Sequence, residues 1–290
     1  MNVLLATDGS KSAEAAANLL KRLPLPATTE LTLLTVSPKL DQASVNRESP
    51  SKVMTAHEDE LLAQESARFD DTGWKVRTIT REGHAAHEII EAASALGTSL
   101  VVVGAKGLSG LKRFLLGSVS QKVMKYSPCS VLVVRQRDRD TRSAGSDSPL
   151  RIVLAYDDSK PAKRAAQFLA SLPRQDRVEV LVVTVQVLMT TFRMDLKQKQ
   201  DPLWREQQLK ANADLERVVQ ELQSLTPHVT SQLLEGDDAS DEILNVSGDF
   251  DADVIVLGAT GHAGIERFLL GSVANRVLHH AHCSVLVARG

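Results

Sequence analysis

Short apolar runs alternate with amphipathic stretches along this chain, and the whole alternation runs twice. Residues 2–7, NVLLAT, are an apolar run closed by Asp8-Gly9-Ser10, which predicts a strand and a turn. Ala13, Ala16, Ala17, Leu20 and Leu23 then recur at helical spacing, and Pro24 and Pro26 stop the helix. Residues 31–36 read as a second strand, 39–51 as a polar loop and 52–69 as a longer amphipathic helix. Residues 75–80 alternate as a strand does. Gly83 opens a turn into a helix over about residues 85–96, with Gly97 past its end. A strand from 101, a glycine loop, a helix over about 117–126 and a strand at 130–134 complete the pass.

Residues 136–149, QRDRDTRSAGSDSP, lack apolar periodicity and read as a linker. The same order then restarts. Strands are predicted at 151–156, 178–185, 229–234 and 253–257, with helices from Pro161 to about 172, over 202–225 and over about 239–247. Residues 186–200 are irregular, and a second glycine loop follows the strand at 253–257. Helices alternating with strands in this way make a parallel sheet covered on both faces. The division expected is a domain at 1–136, a linker at 137–149 and a second domain at 150–290.

Residues 101–134 and 255–288 match without gaps at an offset of 154, with about half the positions identical. Both carry Gly-x2-Gly-x9-Gly-Ser, as Gly104, Gly107, Gly117 and Ser118, then Gly258, Gly261, Gly271 and Ser272. Glycine lets backbone N–H groups approach a ligand closely. The Gly-Ser pair opens a helix whose first N–H groups lack internal partners and whose dipole favours an anion. Each serine has two readings, a cap for the helix or a contact to a phosphate oxygen. Ligands of parallel sheets bind at the carboxyl edge, where strand order reverses. Asp8 or Asp157 follows the first strand of its repeat, and Gly104 or Gly258 follows the fourth. If those strands are neighbours, the two features face each other across one crevice.

Formal net charge is 34 − 36 = −2, so the chain offers no general electrostatic attraction for nucleic acid or an anionic membrane. The apolar runs fall short of a membrane span, and MNVLLATDGS enters a strand directly, without a signal-peptide pattern. Cys129 and Cys283 fall at equal places in the repeats and read as small buried apolar residues. Sparse cysteine and the missing export pattern point to the cytoplasm.

The duplicated motif, its Leu-Leu-Gly-Ser-Val string and the matching aspartates resemble the ATP-binding class of the universal stress protein family. The resemblance covers nearly the whole chain, twice. It implies two tandem α/β domains, each an open-twisted five-stranded parallel sheet of order 3-2-1-4-5 with helices on both faces. It implies that Asp8 and Asp157 hold the adenosine end through ribose, and that backbone near Val36 and Val185 lines the adenine pocket. Gly104, Ala105, Lys106, Gly107, Gly117, Ser118 and Val119 would cradle ribose and phosphates. Gly258, Ala259, Gly261, Gly271, Ser272 and Val273 would do so in the second domain. ATP or another adenine nucleotide, with Mg²⁺, is the ligand implied. Pairing of the two domains within the chain and a homodimer of chains are the assemblies implied. The second repeat departs at Asp158 for Gly9 and Thr260 for Lys106. Both changes are expected to weaken phosphate binding there, so the sites should be unequal.

Other candidates carry less. His279, His280, His282 and Cys283 form HHAHC at a helix end, where the first repeat has KYSPC; a surface helix end is the reading taken, and no metal site is expected. His84 and His87 read as helix-start residues. His262 lies inside the second glycine loop, and Arg113 and Arg267 either screen phosphates or form salt bridges. No repeated Ser-His-Asp or Cys-His arrangement, SGGxDS or HxGH string is present, so no catalytic residue is assigned. The function expected is a nucleotide-responsive binding module in stress response. A slow Mg-dependent ATPase and a scaffold stabilised by ATP are the alternatives.

Overall fold

A computed structural model describes residues 1–39, 50–107, 116–136, 148–187, 202–261 and 270–289. It divides into two compact units, Met1–Asp140 and Thr141–Arg289. In the first, β1 (Asn2–Ala6), α1 (Lys11–Arg22), β2 (Glu30–Ser37), α2 (Pro50–Ala67), β3 (Lys75–Glu82), α3 (Ala85–Ala95), β4 (Leu100–Gly104), α4 (Ser118–Tyr126) and β5 (Ser130–Val134) follow in order. The second has β6 (Leu150–Ala155), α5 (Lys160–Ala170), β7 (Val178–Val187), α6 (Pro202–Leu222), β8 (His228–Gly236), α7 (Ala239–Asp249), β9 (Val254–Gly258), α8 (Ser272–His280) and β10 (Ser284–Ala288).

Within the first unit the strands run β3-β2-β1-β4-β5, all parallel. Within the second they run β8-β7-β6-β9-β10, also parallel. The order reverses between β1 and β4, and between β6 and β9. The first and fourth strands of each unit are therefore neighbours, as the crevice argument requires.

The apolar runs of the sequence follow from burial on both faces. All five residues of β5 and of β10 are buried, and so are four of five in β4. The edge strands β3 and β8 are half exposed, and β3 reads as an alternation instead. Helix α1 lays Ala13, Ala16, Ala17 and Leu20 on the sheet, and small alanines allow close approach to β4. Burying each full-sized core leucine contributes about 1.5–3 kcal/mol. Ser10 caps α1, accepting from Ala13 N at 3.2 Å, and Ser159 caps α5 the same way at 3.3 Å.

Most predicted elements recur within a few residues of the expected bounds. Helix α6 ends at Leu222 rather than 225, where Leu225 N and Thr226 N bond back to Leu222 O and close the last turn. The edge strands run two residues past the predicted ends, to Glu82 and Gly236, because backbone pairing to β2 and β7 continues there. The polar stretch at 40–49, the linker at 137–147 and the irregular stretch at 188–201 lie outside the described residues.

Candidate functional site

The first unit has a cavity of about 160 Å³ at the carboxyl edge of its sheet, on the reversal between β1 and β4. Asp8 reaches it from the turn after β1. Its Oδ1 accepts from Ser10 N at 3.0 Å, a local bond that fixes the turn and the carboxylate together. Gly9 makes the turn at φ +73°, where a side chain is strained. The other oxygen, Oδ2, faces Gly107: a β-carbon on that glycine would sit 2.8 Å from it. The aspartate and the glycine loop thus meet across the crevice.

Gly104 ends β4 against the first turn of α1, and a β-carbon there would come within 2.8 Å of the Ser12 backbone. The loop that follows is closed at its neck, because Gly117 N donates to Ala105 O at 2.7 Å. Gly117 is the N-cap of α4 and makes no side-chain cap bond; Ser118 is the first helical residue. The reading of Ser118 as a cap therefore falls, since an N1 hydroxyl stands past the position that caps. Ser120 is the hydroxyl that holds the loop instead, donating to Gly104 O at 2.6 Å. The loop interior at 108–115, with Arg113, lies outside the described residues.

Val36, Lys106, Ser118 and Val119 also line the cavity. Ala105 is buried beside them. Sequence reasoning missed eight further lining residues, Ala6, Thr7, Ala13, Leu34, Ala85, Ile89, Val103 and Ser120. Ala85 and Ile89 come from α3, whose start the Gly83 turn brings to the crevice. The small residue directly after that turn was the available signal. His84 is the N-cap of α3 and makes no cap bond with its side chain.

The second unit repeats the arrangement. Asp157 Oδ1 accepts from Ser159 N at 3.1 Å, and its Oδ2 would lie 2.9 Å from a β-carbon on Gly261. Gly258 abuts the Pro161 backbone, and Gly271 N donates to Ala259 O at 2.8 Å. Gly271 is the uncapped N-cap of α8, ahead of Ser272 and Val273. Val185 stands on β7 as Val36 does on β2. His262 and Arg267 lie outside the described residues.

One expectation about this second site is overturned. Asp158 occupies the place of Gly9, also at positive φ (+61°), but its charge is not left loose beside the glycine loop. Its Oδ1 pairs with Lys163 at 2.9 Å and Arg217 at 3.1 Å, and accepts from the Tyr156 hydroxyl at 3.0 Å. Burial pulls the Asp158 carboxyl up, but the bonds from Lys163 and Tyr156 and the charges of Lys163 and Arg217 outweigh it, leaving it below the usual range. Burial pushes the Tyr156 hydroxyl up to about 12, so it stays a donor. Arg217, bonded to Asp214 at 2.7 Å and to Tyr156, is held further into its charged form. The substitution adds a neutralised network, and Thr260 for Lys106 remains as the difference of charge between the two glycine loops.

Among the described residues no three His, Cys, Asp or Glu side chains gather as a metal site. His279 and His280 close α8, and Cys283, like Cys129, is buried and unbridged. No described helix is long and apolar enough to cross a membrane.

A doubly wound parallel sheet with a glycine-lined crevice at its strand reversal defines a Rossmann-like α/β protein, here built twice. The model of the universal stress protein family matches residues 1–135 and again 150–289. The chain belongs to that family, as a tandem pair. It is 45% identical over 75 residues to the universal stress protein YxiE of Bacillus subtilis, covering 26% of this chain and 51% of that one. It is 28% identical over 218 residues to a universal stress protein of Mycolicibacterium smegmatis, covering 75% and 70%. A universal stress protein from Archaeoglobus fulgidus shares the fold over 99% of this chain and 98% of its own, with a TM-score of 0.67 at 21% identity.

Proposed function

We propose that this chain binds adenine nucleotide, ATP first, at the carboxyl edge of each sheet, and that occupancy changes which partner it engages. The observation that carries the reading is the meeting of Asp8 Oδ2 with Gly107 across the lined cavity of the first unit. A carboxylate fixed by its own turn suits the ribose hydroxyls. Gly104 to Gly107 and Gly117 to Val119 offer backbone N–H groups at an uncapped helix start, which suits phosphate oxygens. Backbone at Val36 would line the base. Asp157, Val185, Gly258 to Gly261 and Gly271 to Val273 would serve the second site in the same way.

Mg²⁺ fits this reading as a passenger on the phosphates, which usually keep it with several waters and one or two carboxylates. Lys106 lines the first cavity and adds a cation that Thr260 does not, so the first site is the tighter. Unbridged Cys129 and Cys283 fit a reducing compartment such as the cytoplasm. Pairing of the units and a homodimer of chains belong to the same reading.

The direct test extracts the purified full chain and identifies released nucleotide by chromatography and mass spectrometry. ATP or another adenine nucleotide is expected, at up to two per chain and nearer one if the sites are unequal. Protein that arrives free of nucleotide, and that ATP at millimolar concentration fails to stabilise against heat, would contradict the reading.

A further inference from the structure

The two units differ on one face of their edge strands. In the first unit Arg77 and Arg81 stand on β3. Arg77 Nε donates to Thr32 Oγ1 at 2.7 Å, and Arg81 Nη1 donates to Glu88 Oε2 of α3 at 3.4 Å. Counted from Asp8 and Asp157, Thr32 corresponds to Leu181 and Val36 to Val185. Arg77 pairs with Thr32 and Arg81 with Val36, whereas Thr230 pairs with Leu181 and Leu234 with Val185. Both arginines are therefore replaced by shorter, uncharged side chains in the second unit.

The space they would fill is open. A groove of about 370 Å³ lies between β7, β8 and α7 of the second unit. Leu181, Leu234, Val246 and Phe250 give it an apolar lining. Its polar side comes from α7 and β8. Glu242 and Asn245 stand one turn apart on α7, Asp249 one turn further on, and Gln232 on β8 opposite.

The carboxylate has stayed where its arginine has gone. A β-carbon on Gly83 would come within 2.8 Å of Glu88 Oε1, and one on Gly236 within 2.5 Å of Glu242 Oε1. Both glutamates thus fold back over the glycine that ends the edge strand. Glu88 has Arg81 there; the side chains of Glu242, Asp249, Gln232 and Asn245 make no hydrogen bond or ion pair among the described residues. The cations close by are engaged elsewhere. Arg151 pairs with Glu179 at 3.1 Å and lies 5.8 Å over the Phe250 ring, and Arg276 pairs with Asp238 and Asp241.

The edge itself points to the occupant. Within its unit β8 pairs on one side only, with β7. Charged side chains on an edge strand discourage another strand from adding. β3 carries Lys75, Arg77 and Arg81, whereas HVTSQLLEG of β8 contains no lysine or arginine. An extended peptide added beside such an edge points alternate side chains over the same face. A guanidinium on an apolar stem matches the groove: its planar donors suit Glu242 and the amides, and its methylenes suit the leucines.

We propose that the groove between β8 and α7 receives an arginine side chain of an extended partner polypeptide lying along β8. The first unit shows the same site filled from within, by Arg81 on Glu88. The site stands apart from the nucleotide crevice and does not depend on the nucleotide reading.

The test titrates the full chain with a hexapeptide of alternating threonine and arginine, and with a twin carrying citrulline in place of arginine. Binding is followed by NMR shifts of the Gln232 and Asn245 side-chain amides. The arginine peptide should saturate these shifts, and the neutral twin should bind about tenfold more weakly or worse, because it loses a charge-assisted hydrogen bond. Glu242→Gln should cause a similar loss. Leu234→Arg should refill the groove, abolish peptide binding and leave thermal stability equal or higher. Equal binding of the twin, or binding untouched by both substitutions, would overturn the proposal. Binding of N-acetylarginine amide as tight as that of the peptide would overturn the polypeptide partner.

Discussion

Glu65 is the residue most at odds with its surroundings. It is 4% exposed on α2, and Arg68, its partner at 3.4 Å, is shared with Glu14 at 3.3 Å. Ten residues before the matching strand start, the second unit has Val218, fully buried. Burial pushes the Glu65 carboxyl up from its ordinary 4.5, with Arg68 pulling it back and Glu14 adding to the rise. A raised carboxyl penalises the folded state when ionised, and the penalty lifts as pH falls through the raised value. Removing a buried carboxylate strands no charge here, because Arg68 is 35% exposed and keeps Glu14 as a partner, so the substitution sheds the desolvation cost alone. Glu65→Val should therefore stabilise the first unit by roughly 1–2 kcal/mol at pH 7, and the gain should shrink as pH approaches 4.5. Denaturant melts followed by Trp74 fluorescence in a Trp204→Phe background would measure it. A loss of stability at pH 7, or a gain unchanged down to pH 4.5, would count against this account.

At the scale of elements, the turn after the first strand is held by different means in the two units. The first uses a glycine and the second uses Asp158, tied to Lys163 on α5 and Arg217 on α6. Asparagine tolerates positive φ and keeps the shape, so Asp158→Asn removes the charge alone. The Asp158 carboxyl is lowered, so its contribution is full above the ordinary carboxyl range and is lost as pH falls through its own lower value. The pairs are partly exposed, which limits them to about 1 kcal/mol. The variant should thus melt roughly 3–5 °C lower at pH 7 in the second unit, by Trp204 fluorescence, with the difference closing as pH falls below the ordinary carboxyl value of 3.8. An equal difference at pH 7 and pH 2.5 would show that the charge is not the cause.

Sequence and structure part company at this same scale. Strands such as β4 and β5 were legible because burial on both faces leaves an unbroken apolar run. The glycine spacing marked where the chain must pass close to α1 and to Asp8. What was not legible depends on packing between distant segments. Asp158 looked like added charge because Arg217 stands 59 residues away on another helix. Ser118 and Ser120 look equivalent in the string SVS, and only the helix start tells which hydroxyl reaches Gly104. The cavity wall from α3 was missed for the same reason. The groove on β8 shows only when the two edge strands are laid in register.

At the scale of the molecule, one domain is written twice and then edited. The crevice keeps its aspartate, its close glycines and its uncapped helix start in both units, while Lys106 is kept in one. Calorimetric titration of the full chain with Mg-ATP, repeated with Gly107→Ala and with Gly261→Ala, tests that account most directly. The added methyl would displace Asp8 Oδ2 in one variant and Asp157 Oδ2 in the other, with little demand on the backbone. Two unequal sites are expected. Gly107→Ala should weaken the tighter one by about tenfold or more, the equivalent of roughly 1.4 kcal/mol, and Gly261→Ala should weaken only the looser one. Binding that neither substitution alters, or a tighter site lost only with Gly261→Ala, would contradict it.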